Sequence, residues 1–359
     1  MNRTSQTSLQ AVRSRLFYVD AARALAIVMV TVYHLWRYFG LHELNVGPVA
    51  VHKLAAFGYT GVDLFFAVSG FAMMMTWTSR SQKSEHPVAS FYTARAGRIV
   101  PPYIVAVTFF AALSATGVFQ FAHGTRDILT HLTFTHTLFP TTFFSVAGVF
   151  WSLAVEVQFY LLFPLLVGLS GRAMVAVMFA STALALVLDH WAPHSGPMRF
   201  VLRWNVIGFA PLFILGILIQ RYRSALKPCA WRSKLCAIAA IIVMLSLPAD
   251  STDLYSRLAI GALLATSLLL FAPDREPRFG DKAISHVALA SYSIYLYNYI
   301  FTITPAPLLS GWLGAVTYFA GIFCVGGLAW LMVERPFEWL RHRGRRRLRQ
   351  LAVNDVPST

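Results

Sequence analysis

The sequence predicts an all-α fold: a polytopic membrane helix bundle of about ten transmembrane helices with both termini cytoplasmic. Three observations predict it. The 359 residues are 57% hydrophobic and only 13% charged, with a mean hydropathy of +0.59, whereas soluble domains carry roughly 25% charged residues. Apolar runs of about 20 residues, the length that crosses a hydrocarbon core, recur along the whole chain. Lys and Arg also collect on alternate connections between those runs, as the positive-inside rule requires.

The runs lie near 17–38, 57–77, 100–119, 143–168, 173–190, 201–220, 235–249, 255–272, 283–304 and 312–333. The seventh is short, and the fifth follows the fourth with almost no loop. With the N-terminus inside, most of the 30 Lys and Arg fall on inner segments. The outer side and outer span ends keep only Arg37, Lys53, Arg126, Arg199, Arg203 and Arg257. The first run carries Asp20 and Arg23 and is too long for the apolar core of a signal peptide, so it is expected to remain as a span. Residues 1–340 form one membrane domain and 341–359 a basic cytoplasmic tail. The longest outer loop, about 120–142, has little room for a fold of its own. No internal repeat of the kind that marks many transporters is visible.

The net charge of +15 has two readings. In a soluble chain it suggests nucleic acid; in an apolar chain, basic loops face anionic lipid. The second applies here, so membrane lipid and not nucleic acid is the expected partner. Three cysteines, Cys229, Cys236 and Cys324, form no even-numbered framework and no CxxC pair, so neither a disulfide scaffold nor a metal site is expected.

Charged groups inside a bilayer are costly and mark function by default. They are Asp20, Arg23, His34, Asp63, Glu156 and Asp189. Arg23 and His34 are about three helical turns apart, hence on one helix face and separated along the axis by about 16 Å. They line one channel, or else Arg23 snorkels or pairs with Asp20 while His34 bonds within the bundle. Asp63 sits in a glycine-containing run, Gly58 to Gly70. It either takes part in chemistry or pairs with an arginine of a nearby span, Arg23 being the candidate. Arg95 and Arg98, in the loop before the third span, form a compact cationic pair suited to phosphate, or ordinary inner-side charge. Ser152 and Glu156 share a face of the fourth span, with Gln158 and Tyr160 beyond. They read as a site or as a structural hydrogen-bond network. The late segment Ser291–Asn298 offers Tyr295 and Asn298 as hydrogen-bonding groups, structural on their own.

Taken together these strings resemble the acyltransferase-3 family of integral membrane O-acyltransferases. The matching pieces are Tyr18-Val19-Asp20 through Arg23 to Tyr33-His34, then GVDLFFAVSGF at 61–71, Arg95 to Arg98 with the following prolines, and WSLAVEVQFYLLFP at 151–164. The serine–tyrosine segment and Glu334-Arg335-Pro336 complete the set. The resemblance covers about residues 16–340 and implies transfer of an acyl group, acetyl in most members, from acetyl-CoA to a hydroxyl of an envelope sugar or glycoside. It implies His34 as the catalytic histidine, Arg23 as its partner, Arg95 and Arg98 as the CoA-phosphate pair, and Glu156 as the acid of the fourth-span motif. Asp20, Asp63, Ser152, Tyr160, Tyr295 and Asn298 are supporting candidates. Many members carry a histidine where this chain has Asn298, which puts proton transfer at that position in doubt. The expected partners are a carbohydrate or glycoside acceptor and envelope polysaccharide assembly proteins, and the expected location is a bacterial inner membrane. His34 acts either as general base or through an acyl-histidine. A proton-coupled transporter using the same His and acids, and a scaffold in which His34 has no role beyond stability, are the competing readings.

Overall fold

The computed structural model describes residues 3–39, 50–82, 84–117, 123–249, 251, 253–273, 278–301 and 311–340. Among these there is no strand. The helices are α1 (Arg3–Phe39), α2 (His52–Ala56), α3 (Gly61–Ser81), α4 (Pro87–Ala115), α5 (Thr125–Leu132), α6 (Phe150–Val167), α7 (Gly171–Trp191) and α8 (Met198–Arg203). They continue with α9 (Val206–Leu226), α10 (Ala230–Ser246), α11 (Leu254–Ala265), α12 (Asp281–Asn298) and α13 (Gly311–Ala329). Among the described residues, eight stretches are long and apolar enough to cross a membrane. The predicted seventh and ninth spans correspond to α10 and α12, which are outside those eight. α10 has only 17 residues, and α12 opens on Asp281-Lys282 and carries His286. The basic tail after 340 lies outside the described residues.

The bundle buries its small and aromatic residues and leaves an apolar outer surface. Only 11% of the α7 span and 17% of the span containing α13 are covered by protein, so Leu184, Val187, Val316 and Met332 face outward. That is the pattern lipid selects, since hydrocarbon does not penalise exposed Leu or Val. α3 packs against α9 more extensively than any other pair of described elements. A Cβ on Gly70 would strike the Phe213 backbone, and one on Gly216 the Ala67 backbone. The two helices therefore meet backbone to backbone, which only small residues allow. Gly58 and Gly61 do the same against α1, at Met29 and Ala26.

Two inner-end arginines that resemble ordinary loop charge have structural partners. Arg221 donates to the carbonyls of Val167 and Leu169, and Arg223 to those of Leu269, Leu270 and Ala272. Each places a cation on carbonyls left unpaired at a helix C-terminus, where the dipole favours it. At the opposite end, the described residues between α4 and α6 are tightly seated. His131 bridges the Tyr103 hydroxyl and Ser145 Oγ at 2.8 and 3.2 Å, and its ring stacks on His136 with centroids 3.8 Å apart. Burial pushes His131 down to about 4 and His136 well below the usual imidazole value, so both rings are neutral at pH 7.

Candidate active site

Two polar cavities lie inside the bundle. The inner one, at the end carrying the basic connections, is lined by Arg23 from α1, Ser69 from α3, Arg95 and Arg98 from α4, Ser152, Glu156 and Tyr160 from α6, and Tyr292 and Tyr295 from α12. The outer one is lined by His34 and Arg37 from α1, Trp151 from α6, Trp204, Arg257 from α11, and Tyr295 with neighbouring aromatics. Val62 and Tyr295 line both cavities, so one wall of two side chains stands where they meet.

Arg95 and Arg98 are not in a loop. α4 begins at Pro87, and both arginines lie inside it, ahead of Pro101 and Pro102. A proline at the first turn, Pro87, starts the helix with no hydrogen bond lost, which draws the pair into regular geometry. Arg95 is buried, its guanidinium 5.2 Å from the Tyr160 ring centre and 5.7 Å from that of Phe91, and its Nη2 has no hydrogen-bond partner. Arg23 forms neither of the ion pairs considered from sequence. Asp20 accepts instead from Ser285 at 3.0 Å, and Asp63 pairs with Arg257. Three guanidinium groups thus face one cavity whose lining includes a single carboxylate, Glu156. Such an excess of positive charge in a low-dielectric space calls for an anionic ligand.

Glu156 is held by two donors on one oxygen. Ser69 Oγ donates to Oε1 at 2.5 Å, and the Tyr160 hydroxyl donates to the same atom. Ser152, the expected face-mate of Glu156, turns away to the Tyr295 hydroxyl at 2.6 Å. That hydroxyl also donates to the Val149 carbonyl at 2.9 Å, which pins Tyr295 in the wall between the cavities. Ser69 escaped notice in the sequence because a serine beside a glycine in an apolar span reads as packing. Tyr292, donating to the Ile99 carbonyl at 3.0 Å, and the Ser293–Glu334 bond at 2.7 Å tie the late segment and the final acid to the same region.

His34 stands at the outer cavity with a defined tautomer. Thr31 Oγ1 donates to the Ile27 carbonyl at 2.8 Å, so it must accept from the Asn298 amide nitrogen at 3.1 Å. That orients the amide oxygen toward His34 Nδ1, 2.9 Å away. An amide oxygen only accepts, so Nδ1 carries the proton and the basic lone pair lies on Nε2. Asn298 thus needs no titration to matter: it orients the ring.

Asp63 belongs to this outer cavity through its partner. Its two oxygens take Arg257 Nη2 and Nε at 2.8 and 3.2 Å, with the side chains 0% and 2% exposed. Arg257 had been grouped with the outer loop charges. Nothing local in the sequence marks it, because its carboxylate partner is 194 residues away. Asp189, the remaining intramembrane acid, pairs with Arg203 at 2.7 Å near the outer end. Among the described residues no group of three His, Cys, Asp or Glu could hold a metal.

Membrane-length helices that enclose a charged inner cavity and a histidine-bearing outer one define a multi-pass membrane protein with two internal polar cavities. The chain belongs to the acyltransferase-3 family, whose model, described as an acyltransferase domain, matches residues 16–334. It is an acyltransferase by that membership. It is 30% identical to the exopolysaccharide production protein ExoZ of Rhizobium meliloti over 319 residues, 81% of this chain and 92% of that one. It is 26% identical to nodulation protein 10 of Rhizobium leguminosarum bv. viciae, covering 90% and 93% of the two chains. Against the peptidoglycan O-acetyltransferase OatA of Listeria monocytogenes it is 23% identical, over 94% of this chain but 57% of that protein. No solved structure matches it at a significant level.

Proposed function

We propose that the protein transfers an acyl group, acetyl in the first instance, from acyl-CoA on the cytoplasmic side to a hydroxyl of an envelope carbohydrate or glycoside on the outer side. The observation that carries this reading is the pair of cavities that share Val62 and Tyr295 in their linings, one rich in guanidinium and the other holding His34. The names of the relatives, an exopolysaccharide production protein and a peptidoglycan O-acetyltransferase, support a carbohydrate acceptor.

The lining of the inner cavity suits the phosphates of CoA. Arg95 Nη2 is buried without a partner, and Arg23 and Arg98 make no hydrogen bond or ion pair among the described residues. Phosphates would supply the missing acceptors. Acyl-CoA supplies an activated carbonyl and a good sulfur leaving group. Arg95 and Arg98 hold its phosphates, and Arg23 stands farther along the same path. Tyr295 and Val62 stop the acyl end beside the outer cavity. His34 Nε2 takes the proton of the acceptor hydroxyl as that oxygen attacks, then gives it to the departing sulfur. Asn298 Oδ1 accepts from Nδ1–H throughout and favours the imidazolium that forms between the two steps. The location of His34 at the outer cavity, away from the inner lining, favours this base role over an acyl-histidine.

The test is CoA release by detergent-purified protein given acetyl-CoA and a panel of glycosides. Wild type is expected to release CoA only with an acceptor present. Arg98→Ala is expected to raise KM for acetyl-CoA about 10–100-fold, the worth of a charge-assisted phosphate bond, with the KM for acceptor unchanged. Proton-coupled flux of a glycoside without CoA consumption would instead establish the exporter reading.

Asn298 gives a sharper test of the base. Asn298→Ala is expected to lower kcat about 10–100-fold, as loss of a ring-orienting partner does elsewhere, with KM for acetyl-CoA unaltered. Asn298→Asp keeps an acceptor opposite Nδ1 and is expected to recover part of the rate. Equal kcat in all three proteins would remove Asn298 from the reaction.

A further inference from the structure

The outer cavity has a wall that the chemistry above does not use. Trp151 and Trp204 lie with ring centres 4.8 Å apart and planes at 33°. Trp151 is buried, whereas Trp204 is half-buried and lines the cavity. Trp204 is the residue at the corner between α8 and α9, and the corner is locked by its neighbour. Asn205 donates to the carbonyls of Val201 and Leu202 at 3.0 and 2.8 Å and accepts from the amides of Ile207 and Gly208 at 2.9 and 3.0 Å. One side chain therefore closes α8, caps α9 and fixes the indole between them.

Arg257 sits beside this wall, its guanidinium carbon 5.1 Å from the Trp204 ring centre and 5.6 Å from that of Trp151. Asp63 takes Nε and Nη2. Nη1 donates to no described residue, and Arg257 lines the cavity. A carboxylate already balances its charge, so what Nη1 offers is a hydrogen-bond donor more than a net cation. The cavity volume is about 220 Å³, the share of about seven water molecules in the liquid, which is room for one sugar ring.

A hexopyranose matches these features. It has a C–H face that suits the electron-rich face of an indole and a rim of hydroxyls that can accept from a guanidinium. A mostly aromatic lining with a few placed polar groups is the usual make-up of such a pocket. Resting on the carbohydrate-acyltransferase reading, we propose that the outer cavity is the acceptor subsite and takes one hexopyranose unit. Its C–H face stacks against Trp204, one hydroxyl accepts from Arg257 Nη1, and a neighbouring hydroxyl is presented to His34.

The experiment is equilibrium binding to the full-length protein in detergent, read by calorimetry. The probes are methyl β-glucopyranoside, methyl β-galactopyranoside, methyl N-acetyl-β-glucosaminide and methyl β-glucuronide, with CoA titrated in parallel. At least one of these glycosides is expected to bind. Trp204→Ala and Arg257→Lys are each expected to weaken that binding at least tenfold while CoA affinity stays within twofold. Trp204 is half-buried and outside the Asp63–Arg257 pair, so its variant tests the idea even if Arg257→Lys does not fold. Equal binding in Trp204→Ala overturns the proposal. CoA binding with no glycoside binding overturns it alone; loss of both removes the acyl-CoA reading on which it rests.

Discussion

His34→Ala is expected to lower acyl transfer by about 10²–10⁴-fold, the usual contribution of a positioned general base, while the protein stays folded. The structure supports both halves. The ring lines the outer cavity and is only partly buried, so no large core void opens. The loss leaves the Asn298 amide oxygen without His34 Nδ1, which costs about 1–3 kcal/mol for a buried acceptor. The variant should therefore elute as the wild type does from a sizing column and unfold at a modestly lower temperature. It should also bind CoA normally, because none of the arginines of the inner cavity touches the imidazole. Retained transfer in a folded His34→Ala protein would end the base assignment and leave the inner cavity as the sole functional feature. Loss of CoA binding together with transfer would indicate that the two cavities are not independent.

The largest effect on stability is expected from parting Asp63 and Arg257. Both side chains are withdrawn from water, and removing one member of such a pair leaves the other charge buried and uncompensated, at about 3–5 kcal/mol. Asp63→Ala should fail to yield monodisperse protein or should lose it rapidly on warming. Arg257→Leu should do the same. The double variant Asp63→Leu, Arg257→Leu removes both charges and is expected to recover much of the folded yield, since apolar replacement of a whole buried pair is often neutral. A double variant no better than the singles would mean that the pair does more than cancel its own charge. Gly261 is relevant here: a Cβ at that position would come within 2.9 Å of the Asp63 Cβ. The carboxylate is admitted between α3 and α11 only because α11 has a glycine one turn after Arg257.

The positions of the polar groups divide into those a linear reading can find and those it cannot. An imidazole or a carboxylate in an apolar run stands out against its neighbours, so Asp20, Arg23, His34, Asp63 and Glu156 were all visible as exceptions. The spans were visible for the same reason, since hydrocarbon demands about 20 apolar residues whatever they pack against. Asn298 resembles a departure from a pattern, and its contact with His34 depends on Thr31 and Ile27, which orient its amide. Asp63 pairs with Arg257 and not with Arg23; one sequence says nothing about which helices are neighbours. Arg221 and Arg223 looked like orientation charges until their carbonyl acceptors appeared.

The amino-acid sequence by itself determined that this chain is a helical membrane protein and which few side chains carry charge into the apolar core. Those properties follow from local composition, because the bilayer acts on each segment alone. Only the tertiary structure decided that Arg23, Arg95 and Arg98 share one cavity, that His34 stands in another, and that Tyr295 and Val62 stand between them. Such groupings depend on contacts between helices far apart in the chain, and those contacts are chosen by backbone approach at glycines such as Gly70 and Gly216, a property of pairs of helices that no single segment records.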